Sequence, residues 1–180
     1  MRPCMQKYLC RLCKPAPYLQ GMLGLIFLLI SGCEKDDICV DGDTPLLVVR
    51  FFDSTDPETP KAVELLRVIG LDNGNPVPTF ADRSTLDSIA LPLRTDVPET
   101  TFILIRDSED AEGVDTGNPD TLRIAYETRD VFISRACGFV ANYENLDAQL
   151  ETGPENWIQS IGVDTSSVQT QDSRHVSIYH

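Results

Sequence analysis

The stretch Leu46-Leu47-Val48-Val49-Arg50-Phe51-Phe52 is apolar on both faces at its start, which is the signature of a strand deep inside a sheet. Working outward, 101–106 (TFILIR) repeats the pattern. Residues 121–128 (TLRIAYET) instead alternate, with Leu122, Ile124 and Tyr126 facing inward and Arg123 and Glu127 facing out. Further strand-like runs lie at 84–91 (STLDSIAL), 131–141 (VFISRACGFVA), 157–163 (WIQSIGV) and 174–179 (RHVSIY). Pro, Gly, Asp and Asn clusters separate them. The run 62–69 (AVELLRVI) reads two ways. Ala62, Leu65, Leu66 and Ile69 have helical spacing, while Val63, Leu65, Arg67 and Ile69 alternate; its neighbours favour a strand. Only Arg129 and Asp130 separate 121–128 from 131–141, which predicts a tight hairpin or a bend between sheets there. Gly138, next to Cys137, suits a bulge. Seven or eight short strands predict an all-β, antiparallel two-layer sandwich, immunoglobulin-like or transthyretin-like, with a closed barrel as the other architecture.

Ahead of this domain, residues 1–20 are basic and polar, 21–30 (GMLGLIFLLI) are apolar, and Ser31 and Gly32 precede Cys33. That order is the plan of a secretory signal. Ten apolar residues are too few to cross a hydrocarbon core, which takes about 20 in a helix. The tetrad Ile30-Ser31-Gly32-Cys33 resembles the lipobox of bacterial lipoproteins, which implies cleavage before Cys33, diacylglycerol on its sulfur and an N-acyl chain. Several acyl chains, each contributing about 0.8 kcal/mol per buried CH₂, make a stable anchor. The expected organisation is a signal peptide at 1–32, an acylated tether at 33–43 and a sandwich at 44–180. Lys35, Asp36 and Asp37 resemble the export signal of Bacteroidetes surface lipoproteins. The expected location is the outer membrane, with the cell surface favoured over the periplasmic face.

The formal charge of the chain is −13; taking away the four basic side chains of residues 1–32, which hold no acid, leaves about −17. Such a surface repels phosphate backbones and argues against nucleic acid as a partner. Cys4, Cys10 and Cys13 leave with the leader and Cys33 is acylated, so Cys39 and Cys137 remain as a pair. In an exported domain this pair is expected to form a disulfide, with free thiols and a metal site as the competing readings.

Thr44-Pro45-Leu46 leading into Arg50-Phe51-Phe52-Asp53, then Leu91-Pro92-Leu93, Ser134-Arg135-Ala136-Cys137-Gly138-Phe139 and His175-Val176-Ser177-Ile178 together resemble a family of small Bacteroidetes lipoproteins, the domain of unknown function 6452. The resemblance runs over Cys39 to His180. It implies an envelope lipoprotein and brings no catalytic residues with it.

Catalysis finds little support in the residues. His175 and His180 are the imidazoles available as a base, and there is no Gly-x-Ser-x-Gly, His-Glu-x-x-His or phosphate loop. His175 reads as an ordinary residue of an edge strand, and His180 as a frayed end. The acidic stretch 107–120 reads as a long mobile loop. Its Asp107, Glu109, Asp110, Glu112, Asp115 and Asp120 are candidate calcium ligands, although their spacing misses the EF-hand pattern. Trp157, Tyr126, Tyr143 and Tyr179 are candidates for a carbohydrate platform or for packing. No cofactor is expected. The reading that results is a membrane-anchored, non-catalytic module that binds another envelope protein, such as an outer membrane β-barrel. The other reading is a surface lipoprotein that acquires glycan or peptide.

Overall fold

A computed structural model of the chain describes residues 38–39 and 42–180, in which every regular element is a strand. In chain order these are β1 (Leu47–Phe52), β2 (Val63–Gly70), β3 (Ser84–Leu86), β4 (Ser88–Leu91), β5 (Glu99–Ala111), β6 (Val114–Ser134), β7 (Gly138–Leu150), β8 (Ser160–Val163) and β9 (Val176–Tyr179). They form two sheets, ordered β4-β1-β9-β8 and β3-β2-β5-β6-β7. The expected leader with Cys4, Cys10 and Cys13, the expected acylation site Cys33 and the expected export residues Lys35, Asp36 and Asp37 lie outside the described residues.

The sandwich expectation holds, with one amendment to its antiparallel character: β1 pairs β9 in parallel, from Val49 opposite Val176 to Phe52 opposite Tyr179. β1 is an interior strand, as its apolar composition predicts. Leu47, Val49 and Phe51 point into the core. The other sheet supplies Val68, Phe102, Leu104, Leu122 and Ile124 to the same core, and Trp157 and Ile158 join it. Burying one such aliphatic or aromatic side chain contributes about 1.5–3 kcal/mol. This shared apolar layer is the main adhesive between the sheets.

The run 62–69 is a strand, and the structure explains its helical look. Leu65 has φ 45° and sits in a bulge between Val63 and Leu66. The bulge moves the inward position by one residue, so Val63, Leu66 and Val68 are buried while Leu65 is exposed. β7 extends well beyond the expected end at residue 141. There Asn145, also at positive φ, produces the same three-residue step from Tyr143 to Leu146.

Four expectations are corrected. The run 84–91 is two strands broken at Asp87: β3 pairs β2 in one sheet and β4 pairs β1 in the other, so this segment carries the chain between layers. The residues Arg129 and Asp130 form no hairpin or bend, because β6 passes through them paired with β7; the turn comes later, between Ser134 and Gly138. Gly138 has φ 73° at that turn, and a register shift lies between Phe132 and Ser134. The stretch 107–120 is not a loop. It forms the paired ends of β5 and β6, with Ala111 opposite Val114 around Glu112 and Gly113. Both turn residues have positive φ, the conformation of a two-residue type I′ hairpin. Finally, β9 lies between β1 and β8, so His175 does not belong to an edge strand.

Candidate functional site

Three regions bring together polar chemistry or exposed apolar surface: the two histidines, the acidic hairpin with a neighbouring cleft, and the disulfide-tied turn.

His175 replaces part of a sheet ladder. Its backbone N–H donates to the Val48 carbonyl at 2.9 Å, and the Val48 N–H donates to its Nδ1 at 2.9 Å. An accepting Nδ1 places the proton of the neutral ring on Nε2. Burial pushes the imidazole pKa below its ordinary value, against a bond to the Thr170 backbone and the charge of Asp164. His180 does not fray. Its N–H donates to the Phe52 carbonyl, its carbonyl accepts from the Ser54 N–H and from Lys61 Nζ, and its Nε2 lies 3.1 Å from the Lys61 carbonyl. The ring packs edge-on against Phe51 and Trp157, and burial lowers its pKa as well. Both imidazoles are thus engaged in holding backbone. Lys61 also pairs with Asp53, whose carboxyl is held well below the usual range first by the Thr55 side chain and N–H, then by Lys61.

The structure disperses the acidic candidates. Asp107 pairs with Arg106, and Asp110 accepts from the Gly113 N–H at 2.7 Å. Asp115 is gripped by Arg67 and Arg83, which also share Asp82. Glu109 opposes Thr116, and Glu112 occupies the turn. Asp120 is buried and accepts the Ile158 N–H at 2.8 Å; burial raises its pKa. No group of three metal-ligating side chains occurs among the described residues. The spread follows from strand geometry, which sends successive side chains to opposite faces.

The aromatic candidates are core or boundary residues. Trp157, Tyr126 and Tyr143 are buried, and Tyr179 packs in a tilted arrangement against Phe52, with ring centroids 5.8 Å apart. Tyr126 and Tyr143 meet edge to face at 5.0 Å and fasten the segment after β4. Tyr143 O–H donates to the Leu93 carbonyl at 2.9 Å and Tyr126 O–H to the Arg94 carbonyl at 2.7 Å. Thr100 closes the circuit by accepting the Arg94 N–H and bonding the Tyr126 hydroxyl. Burial pushes the Tyr143 pKa up to about 12. Beside this network a cleft of about 480 Å³ is lined by Pro76, Val77, Pro92, Leu93 and Phe102. Its cation, Arg94, is already matched by Asp72 and Asp96, each at 2.8 Å, whose hydrogen bonds push its pKa further up.

The third region carries the sulfur chemistry. Cys39 and Cys137 form a disulfide with their Cα atoms 4.9 Å apart, closing a loop with a sequence separation of 98. It fastens the chain entering the domain to the β6–β7 turn. Gly42 lies against it: a Cβ there would collide with Cys39 Sγ and press on Cys137 Cβ at 3.2 Å. The turn is further fixed by the Cys137 N–H donating to Ser134 Oγ at 3.0 Å. The sequence singled out the sulfurs but missed the side chains around them. VFISRACGFVA is apolar enough to pass for core, yet Phe132 and Phe139 are exposed.

No curated protein and no solved structure matches the chain. A family of unknown function matches residues 65–180, from within β2 through β9. This span includes the Leu91-Pro92-Leu93 segment held by the two tyrosines, the cysteine turn and the His175 segment, and leaves Thr44 to Asp53 outside. With the match covering more than half of its length, the chain belongs to the family of unknown function DUF6452.

Proposed function

We propose that the chain is a bacterial envelope lipoprotein, of the kind Bacteroidetes display, acylated at Cys33 and exported to the outer membrane. Its sandwich serves as a non-catalytic module that binds another envelope protein. The observation that carries this reading is the Cys39–Cys137 disulfide, a bond suited to an oxidising compartment and placed six residues after the lipobox cysteine. The engagement of both imidazoles in backbone hydrogen bonds supports a structural role for the residues that a hydrolase would use as base. Crosslinking in intact cells tests the assembly role: a specific envelope partner, such as an outer membrane β-barrel, should be captured, and recovery of the lipoprotein alone would contradict it.

The cleft beside Arg94 favours a second reading, capture of glycan or peptide at the surface. It predicts that one member of a glycan and peptide panel raises the thermal midpoint of the domain. A complete panel without a shift would remove that reading.

A further inference from the structure

At the β6–β7 turn the two strands remain paired to their ends, with Asp130 opposite the buried Ala141, Phe132 opposite Phe139 and Ser134 opposite Gly138. Phe132 and Phe139 form an edge-to-face pair with ring centroids 5.3 Å apart, yet they are 55% and 68% exposed. The neighbouring position, Ile133, is 39% exposed, and side chains alternate between faces, so apolar surface is presented on both faces of the ribbon. Water is a costly neighbour for three such side chains, which marks the tip as a contact surface.

Two further observations identify what covers it. The first is charge. In a chain whose acids outnumber its bases 28 to 15, the nine residues from Val131 to Phe139 contain no acid and one base, the exposed Arg135. An aromatic pair, an aliphatic side chain and an arginine match the composition that settles at the boundary between headgroups and acyl chains. The second is position. Cys137, inside this tip, is bonded to Cys39, and Cys39 lies six positions after Cys33. Six residues span at most roughly 20 Å. A bilayer holding the acyl chains of Cys33 is therefore within reach of this tip. The β5–β6 tip, at the other end of the 21-residue β6, carries the acids that headgroups repel.

We infer that the Phe132, Ile133 and Phe139 tip docks into the lipid surface that carries the chain's own anchor, standing the sandwich on its β6–β7 hairpin with the acidic hairpin directed away. The inference rests on acylation at Cys33. The disulfide sets the orientation by tying the lipid-bearing segment to the hairpin that touches lipid. One anchor and one wedge together restrict rotation that a flexible tether alone leaves free, and so present the opposite end of the domain to partners.

The test uses the full-length acylated protein reconstituted in vesicles of phosphatidylethanolamine and phosphatidylglycerol that carry a quencher near the headgroups. Phe132→Trp and Phe139→Trp place a reporter at the tip, Val114→Trp places one at the 65% exposed distal turn, and each signal is read against the parent with its buried Trp157. The two tip variants should shift their emission to the blue and be quenched at least about twofold more than Val114→Trp. Flotation with vesicles and an acyl mass on Cys33 report anchoring separately. Anchoring without tip quenching overturns the inference and leaves the lipoprotein reading standing; absence of both acyl mass and flotation overturns the two together. Equal quenching at both ends, or a tip shielded from lipid that crosslinks to a second copy or another protein, also overturns it.

Discussion

At its first residue, Val114, β6 leaves a turn of Glu112 and Gly113 set in a stretch with six acids and no base; at its last, Ser134, it enters a turn that has no acid and whose Cys137 is bonded to Cys39. The acidic end is satisfied from within. Asp115 reaches Arg67 on β2 and Arg83 beside β3, so ion pairs across the sheet, together with the Asp110 bond to the Gly113 N–H, hold that hairpin. The other end is held by a covalent bond and leaves its aromatic pair facing outward. Hairpins on one strand can thus have opposite chemistry: one is complete in itself, and the other is fixed in position with unused apolar surface.

The largest separation of the two ends should come from the sulfur. Replacing both Cys39 and Cys137 by Ser frees a loop of about 98 residues in the unfolded chain and should cost roughly 4–5 kcal/mol in the entropic account. Urea unfolding reads this as a lower midpoint, with amide exchange at 109–116 unaffected below the transition. An unchanged midpoint would break the contrast between a cross-linked and a self-sufficient hairpin. Next is Tyr126→Phe, near the middle of β6, which removes the donor to the Arg94 carbonyl and should cost about 1–2 kcal/mol. Amide exchange should rise at 93–100 and leave both turns alone.

Acid offers a third handle, acting on the first sheet. Burial places the folded pKa of His175 and of His180 below the ordinary imidazole value of 6.5, so protons bind the unfolded chain more tightly. Stability should fall as pH drops below about 6.5 and level off once the folded-state values are passed. Each histidine contributes a slope of at most about 1.4 kcal/mol per pH unit. His175→Asn keeps an acceptor for the Val48 N–H and should flatten the profile; the same slope in the variant would show that His175 does not titrate in this way.

Asp115→Asn should cost about 1 kcal/mol, because Arg67 and Arg83 lose a shared partner that is only partly exposed. Its exchange signature belongs at 109–116, not at the cysteine turn. The smallest effect should come from Glu112→Asn. Asn accepts positive φ more readily than Glu, and a gain of about 0.5 kcal/mol in chemical denaturation is expected.

These contrasts also show what one sequence reveals. The core of β6 was legible because alternation maps directly onto burial, as Leu122, Ile124 and Tyr126 illustrate, and β1 and β5 were legible because continuous apolar runs belong to interior strands. Alternation misled wherever a bulge shifted the inward face: Leu65 made β2 resemble a helix, and Asn145 hid the end of β7. The acidic hairpin read as a loop because its turn is Glu-Gly in place of the usual Asn-Gly or Asp-Gly, and because its charges are satisfied by arginines distant in sequence. The parallel pairing of β1 with β9 joins residues more than a hundred positions apart, which local pattern does not encode. At the candidate site, counting cysteines identified the Cys39 and Cys137 pair. The exposure of Phe132 and Phe139 was hidden, since an apolar strand end with exposed side chains has the same composition as a buried one.

The Cys39–Cys137 disulfide couples the β6–β7 turn to the segment that follows Cys33, the proposed acylation site. Chymotryptic digestion of the native protein under non-reducing conditions, followed by mass spectrometry, addresses that coupling directly. The predicted product is a fragment beginning at Cys33, carrying acyl mass, and joined through Cys39 to the fragment that contains Cys137. Free thiols at Cys39 and Cys137, or a fragment continuing from Cys33 back into Gly32 and Ile30 without acyl mass, would contradict it.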